Sequence, residues 1–424
     1  MSKLVITNAR LVDATGELAA TSLLIENGHI AALNPGPVAD AREIDAQGQL
    51  VTPALIDLHV HLRDPGQEAK ETLETGLSAA VMGGFGTVVS MANTDPVISE
   101  PAQVADLVAH AKSLNLARLK PAAALSHGLA GATLTDFKAL QDAGAVMITD
   151  DGIPVQDGLL MRKACEYAAE LGLVIQTHSE EPTLRADGVM NEGLVSERLG
   201  LPGNPIAAEA IMVFRDAEIA RLTGCRVHIA HVSSARAFEV AEWQRETGAP
   251  ITIELTPQHL TLTDESLESY DPVFKVAPPL RTGNDVEYLR AALARGAVDS
   301  IGTDHAPHTR DEKERDLLAA PFGIANLEVA FPLLFTELVQ TGIIPLAELV
   351  RLLTTGPANV MGWDEPLIKV GMPADLTMFD TDTVRPVEAR TFATKAKFSP
   401  WEGQQLSGWP SATIVAGNVV YERL

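Results

Sequence analysis

Cysteine is almost missing from this chain: Cys165 and Cys225 are the only two in 424 residues, each inside an apolar stretch. So low a count argues against a disulfide scaffold or a thiolate zinc site and suits a reducing, cytoplasmic setting. Positive charge is scarce as well, with 32 Lys and Arg against 56 Asp and Glu and a net charge of −24. Nucleic acid and anionic membranes need a basic face, so neither fits as a general partner. An anionic small molecule would be repelled at long range, so a site for one must carry local positive charge from metal ions or a few arginines. No uninterrupted apolar run is long enough to span a bilayer, and the opening Met1-Ser2-Lys3-Leu4-Val5-Ile6 shows no leader pattern. Repeats and low-complexity tracts are absent. The composition that remains, 46% hydrophobic and 21% charged, is that of a globular chain with ample core.

Four short stretches end β-type runs in metal-ligand residues: Asp57-Leu58-His59-Val60-His61, Thr177-His178, His228-Ile229-Ala230-His231 and Gly302-Thr303-Asp304-His305. Side chains alternate across a strand, so His59 and His61 point the same way and can grip one cation from a rigid support. Histidines and a carboxylate converging from several strand ends are the usual ligand set of a hydrolytic zinc site. Taken singly each stretch is weak. A His-x-His pair is common, either His228 or His231 could be a core histidine bonded to a carbonyl, and Asp304 could close a turn. Their shared position after an apolar run is what points to a metal-dependent hydrolase.

The first fifty residues read as short strands, with Asn27-Gly28 as a hairpin signal. The C-terminal end is similar: residues 374–379 form a strand, and 412–415 with 419–421 frame a Gly417-Asn418 turn. Between the ends, strand-like runs at 51–61, 87–93, 119–125, 146–151, 173–178, 227–232, 251–255 and 300–304 alternate with helical patterns such as 72–82, 102–113, 160–171, 209–223 and 286–295. Such alternation demands a parallel sheet, and eight units suggest a closed (β/α)8 TIM-type barrel with its site at the strand C-termini. The expected organisation is therefore an α/β barrel over residues 52–364 and a small β-sandwich domain built from 1–51 and 365–424.

The runs His59-Val60-His61-Leu62-Arg63-Asp64-Pro65-Gly66, Met91-Ala92-Asn93-Thr94, Asp150-Asp151-Gly152, Thr177-His178-Ser179-Glu180, His228-Ile229-Ala230-His231-Val232-Ser233 and Gly302-Thr303-Asp304-His305-Ala306-Pro307-His308 resemble the amidohydrolase superfamily. More narrowly they resemble the long bacterial type of dihydroorotase, over essentially the whole chain. The resemblance implies reversible cyclisation of N-carbamoyl-L-aspartate to L-dihydroorotate in pyrimidine biosynthesis. It also implies two Zn²⁺ per subunit, one held by His59, His61 and Asp304 and the other by His178 and His231, with an anionic bridge. Many relatives bridge with a carboxylated lysine. Here the strand ends Thr149-Asp150-Asp151-Gly152, with no lysine, so Asp151 is assigned as bridge, while Asp150 could instead cap the turn. A zinc-bound water ionises near pH ~7, and Asp304 would act as general acid and base.

By the same resemblance Arg63, Asn93 and His308, beside His61, hold the substrate carboxylate, and the backbone at Phe322-Gly323 contacts the ring. A surface salt bridge for Arg63 and a turn role for Asn93 are the ordinary alternatives. The family usually has Asn-Pro-Pro-Leu-Arg where this chain has Ala277-Pro278-Pro279-Leu280-Arg281, so one substrate contact is absent or replaced. Hydantoinase, dihydropyrimidinase or allantoinase activity is the nearest rival, and a non-catalytic partner of aspartate transcarbamoylase the rival of another class. A homodimer, with aspartate transcarbamoylase as a further partner, is also implied. The charged segment 309–320 reads as a solvated helix or as a mobile cover.

Overall fold

The computed structural model describes residues 3–423, so Met1, Ser2 and Leu424 lie outside the described residues. Eight strands form one sheet in strict chain order, each parallel to the next. They are β1 (Leu55–Val60), β2 (Phe85–Ser90), β3 (Arg118–Ala124), β4 (Met147–Thr149), β5 (Val174–Thr177), β6 (Arg226–Ile229), β7 (Ile251–Leu255) and β8 (Ser300–Ile301). A parallel bridge between Val60 and His305, with His61 N–H donating to His305 O at 2.8 Å, joins the first strand to the segment after the last. Asp57 reinforces that seam by accepting from Thr303 N–H and Oγ1–H, at 3.1 and 2.5 Å.

Helices at Leu73–Met82, Pro101–Leu114, Gly158–Leu171, Ile206–Thr223, Ala235–Glu246 and Gly283–Ala294 lie between these strands in chain order. Several start on a side-chain cap that accepts an otherwise orphaned backbone N–H: Thr72, Asp157, Ser234 and Thr282. In β7 the alternation is plain. Ile251, Ile253 and Leu255 join the apolar core, while Thr252 and Glu254 bond His228 on the neighbouring strand. Gly302 is needed at the next strand because a Cβ there would stand 2.4 Å from Glu254 Oε2.

Both chain ends meet in a second body. A six-stranded sheet takes Arg10–Asp13, Gly16–Glu17 and Leu50–Pro53 from the front and Leu376–Asp380, Trp409–Val415 and Asn418–Glu422 from the back. A four-stranded sheet of Lys3–Thr7, Leu23–Glu26, His29–Leu33 and Arg42–Asp45 contributes Leu4, Ile6, Leu23 and Ile25 to a core shared with Leu11, Val51, Leu376, Met378 and Ile414.

Three expectations need correction. The run 51–61 is two strands rather than one, broken at Pro53-Ala54: Leu50–Pro53 pairs in the terminal sheet and Leu55–Val60 in the barrel. The C-terminal turn centres on Ala416-Gly417 (φ 49° and 76°), so Asn418 is already strand. Nor does 309–320 form a solvated helix. Only Arg310–Lys313 is helical, and the segment is tied down by buried cations. Lys313 Nζ donates to Pro272 O and Lys275 O, and Lys275 Nζ to Leu317 O, Leu318 O and Ala320 O. A charge-rich stretch looks solvated in sequence because backbone carbonyls as partners leave no sequence signature.

Beside the segment 389–394, Glu328 is buried and accepts from Ala393 N–H and Thr394 N–H, at 2.8 and 3.2 Å. Burial raises its carboxyl to about 7 from 4.5. The folded state therefore holds this proton more tightly than the unfolded chain. The resulting stability is fully present below the unfolded value and is lost as pH rises through about 7. Glu328→Gln should remove this component. Between pH about 4.5 and 7 the variant is expected to lose less stability than the parent, by on the order of 2 kcal/mol in denaturant unfolding. Parallel pH profiles would contradict this.

Candidate active site

The strand C-termini open on one face of the barrel, and the predicted ligands converge there. His59 and His61 come from the end of β1, Asp151 follows β4, His178 follows β5, His231 follows β6 and Asp304 follows β8. All six are buried. Asp151 sits at their centre. Its Oδ1 lies 3.2 Å from His59 Nε2, 3.7 Å from His178 Nδ1 and 3.8 Å from His231 Nε2, and its Oδ2 lies 3.6 Å from His61 Nε2. Asp304 Oδ1 is 3.1 Å from His61 Nε2 and 3.6 Å from His59 Nε2. Asp150 faces away from this cluster as a turn cap, accepting from Val155 N–H at 2.8 Å and His178 N–H at 3.1 Å. His228 is the core histidine of its pair, bonded to Thr252 Oγ1 and Glu254.

The arrangement fits a divalent cation. His59, His61 and Asp151 offer ligand atoms within 4.8 Å of one another, and so do Asp151, His178 and His231. His59 Nε2 is buried without a hydrogen-bond partner among the described residues, and His178 Nδ1 faces His231 Nε2 at 3.0 Å. Electrostatics point the same way. Burial alone would depress the His59 imidazole, yet Asp151, Glu254 and Asp304 hold it well above the usual histidine value. Burial would raise Asp151, but His59, His61, His178 and His231 hold it well below the carboxylate range. Against the same burial penalty, Asp151 and Glu180 lift His178 to about 10. A pocket that favours positive charge this strongly can exchange those protons for metal.

Two carboxylates and one amide turn the imidazoles. Glu180 Oε2 lies 3.0 Å from His178 Nε2, leaving Nδ1 toward Asp151. Glu254 Oε1 lies 3.5 Å from His59 Nδ1. Asn93 Oδ1 accepts from His61 Nδ1–H at 2.9 Å while its Nδ2 donates to Asp151 Oδ2 at 3.3 Å. Such partners fix the tautomer and direction of a ligand histidine. Glu180 and Glu254 were not singled out as functional in the sequence, although each carried a signal. Glu180 follows His178 by two residues, and Glu254 is a lone carboxylate inside an apolar strand.

A pocket of about 200 Å³ opens above this floor. It is below the usual range for drug-sized ligands and suits one small ring. Its walls include His61, Asn93, Asp151, His178, His231 and Asp304, together with Arg63, His308, Phe322 and Gly323. His59 lies beneath them, fully buried. Arg63 is itself buried. Its Nε donates to Pro307 O at 3.2 Å, one Nη stands 3.3 Å from His308 Nε2, and among the described residues no carboxylate pairs with it. Burial lowers Arg63 only to about 10, so it stays cationic at neutral pH. Burial and the Arg63 charge push His308 down to about 2, so its ring is neutral, and its Nε2–H donates to Phe322 O at 2.8 Å. Gly323 N–H is engaged with Lys275 O. The backbone takes left-handed conformations at Arg63, His231 and Asp304 (φ 60°, 38° and 50°), a strain that functional sites retain.

Residues 48–237 match a family model described as dihydro-orotase-like, and residues 210–421 match one of an amidohydrolase family. A dihydroorotase of Deinococcus radiodurans is 51% identical over 418 residues, covering 99% of this chain and 99% of that protein. The dihydroorotase of Thermus aquaticus is 47% identical, covering 99% of this chain and 100% of that protein. Among solved structures, an L-hydantoinase (dihydropyrimidinase) from Arthrobacter aurescens superposes with a TM-score of 0.89 at 26% identity, over 100% of this chain and 96% of that one. A dihydropyrimidinase from Brevibacillus agri gives 0.86 at 25% identity, over 99% of this chain and 95% of that one.

Proposed function

The chain belongs to the dihydroorotase family, and we propose on that premise that its pocket performs the reversible, zinc-dependent cyclisation of N-carbamoyl-L-aspartate to L-dihydroorotate. The reading rests above all on Arg63, a buried guanidinium in the pocket wall with no carboxylate partner of its own among the described residues. Dihydroorotate carries a free carboxylate, which hydantoin and dihydropyrimidine rings lack, and a guanidinium accommodates one through paired N–H donors.

Two zinc ions, held by His59, His61 and Asp304 and by His178 and His231 with Asp151 between them, would lend Lewis acidity to the reacting carbonyl and acidify the attacking water. Asp304 is the proton carrier. Although buried, its carboxyl is held below the usual range by His61 and His59, so it is ionised and able to accept. In ring opening it takes the water's proton and passes it to the departing ring nitrogen. In closure it relieves the ureido nitrogen of a proton and returns it to the leaving oxygen. Asn93 and Glu180 keep His61 and His178 turned toward the floor, and Arg63, standing beside His308 in the wall, anchors the carboxylate so that the reacting carbonyl lies over Asp304.

We propose in addition that 1–51 with 365–424 form one unit and 52–364 the other, on the ground of the sheet that both chain ends share. Homodimerisation, association with aspartate transcarbamoylase and a cytoplasmic setting are proposals from the resemblance alone.

The test is a joint measurement on the purified protein of zinc stoichiometry and L-dihydroorotate hydrolysis. Close to two zinc ions per chain and turnover that disappears on chelation are expected. A zinc-loaded protein inert toward both dihydroorotate and carbamoyl aspartate would overturn the reading. Arg63→Ala should raise KM for dihydroorotate by roughly 10- to 100-fold, the value of a charge-assisted hydrogen bond. An unchanged KM would mean that the carboxylate is read elsewhere.

A further inference from the structure

One cation of the pocket wall has no role in the reading above. Arg185 ends the short helix Pro182–Arg185, between β5 and the strand-like Met190–Asn191. Its guanidinium carbon stands 4.9 Å from the centroid of the Phe322 ring, and its Nε lies 3.4 Å from Glu180 Oε2. The Phe322 ring and this ion pair flank the group, while neither its Nε nor either Nη makes a hydrogen bond to any described residue. The side chain is 30% exposed and lines the same cavity as Arg63 and Asp304.

The remaining side chains of the wall have little else to donate. Ala277 has no polar side-chain atom. Glu180 only accepts, and it is already occupied by His178 and by Asn204 Nδ2 at 2.5 Å. Gly323 N–H is spent on Lys275 O, and the nearby Lys275 Nζ on three backbone carbonyls.

Substrate chemistry supplies the demand. On a dihydroorotate ring the free carboxylate, the reacting carbonyl and the urea carbonyl sit on alternate ring atoms, so they point toward three different walls. With the carboxylate at Arg63 and the reacting carbonyl over the histidine and aspartate floor, the urea oxygen needs a donor on the third. We infer that Arg185 donates from its Nη atoms to the urea carbonyl oxygen of the substrate, so that it selects rings that carry one. This assignment rests on the proposed dihydroorotase reading, and it makes Arg185 a specificity-determining residue that takes no part in bond making.

The zinc-loaded Arg185→Met protein tests it, because methionine keeps an apolar stem against Phe322 and removes every donor. With L-dihydroorotate, KM should rise roughly 10- to 100-fold while kcat stays within about threefold and zinc content is unchanged. The second arm uses the analogue with sulfur in place of the urea oxygen, a much weaker acceptor. The parent enzyme should favour the oxygen compound in kcat/KM, and the variant should lose most of that preference. A KM equal to the parent's, an undiminished oxygen-over-sulfur preference, or a fall in zinc content that accounts for the loss would each overturn the role. A zinc-loaded parent inert toward dihydroorotate rejects the enzymatic reading itself. An active parent with an unaffected variant rejects only Arg185.

Discussion

Asp304→Asn is expected to leave a folded, metal-binding protein whose kcat for dihydroorotate falls by roughly 10²- to 10⁴-fold, the usual worth of a positioned acid and base. The substitution preserves shape, and asparagine tolerates the left-handed backbone that residue 304 adopts (φ 50°). What it removes is basicity. The carboxylate stands 3.1 Å from His61 Nε2 and 3.6 Å from His59 Nε2, and those imidazoles, acting against the penalty of burial, keep it ionised at neutral pH. An amide oxygen can still meet a cation, but it cannot take a proton from water or return one to nitrogen. Metal analysis and steady-state rates on the same sample separate the two functions. Parent-like turnover with metal retained would take the proton-carrying role away from Asp304.

Much of this was readable in the chain itself, for a physical reason. A parallel barrel imposes one repeating rule: an apolar strand whose C-terminal residues face the site. Ligand-type residues at the ends of such runs therefore betray their destination, as His59, His61, His178 and Asp304 do. Asp151 is different, since nothing in the Asp150-Asp151 pair says which carboxylate turns inward. The fold decides by having Asp150 accept the backbone N–H groups of Val155 and His178. The less legible residues act through partners remote in sequence. Glu254 reaches His59 across the barrel, Asp57 ties β1 to the segment after β8, and Lys275 and Lys313 are bound by carbonyls. Chain order gives no distance between such groups, and carbonyls have no residue identity to be recognised by. Membership of a dihydroorotase family, at 51% identity to one relative, adds function to a geometry that the strand pattern had already implied.

Asp151→Ala is expected to cost more than any other single change in the floor of the site. This carboxylate is the one residue common to both ligand triads, His59-His61-Asp151 and Asp151-His178-His231. Removing it leaves four imidazoles around a buried centre with no shared anion, so each bound cation would lose a ligand and feel its neighbour unscreened. Removing one partner from a buried charge network typically costs 3–5 kcal/mol, about 10²- to 10⁴-fold in affinity. Zinc content should fall from about two to one or fewer per chain under dialysis conditions that leave the parent loaded, and turnover should fall with it. Asp150→Asn supplies the contrast. Its side chain is spent on the turn, so an amide oxygen there keeps one of the two backbone contacts, at a cost of about 1–3 kcal/mol in stability if the other is lost. Full metal content in Asp150→Asn beside depleted Asp151→Ala identifies the bridge. The opposite pattern would transfer it to Asp150 and require the β4 loop to be rotated by one residue from the conformation described.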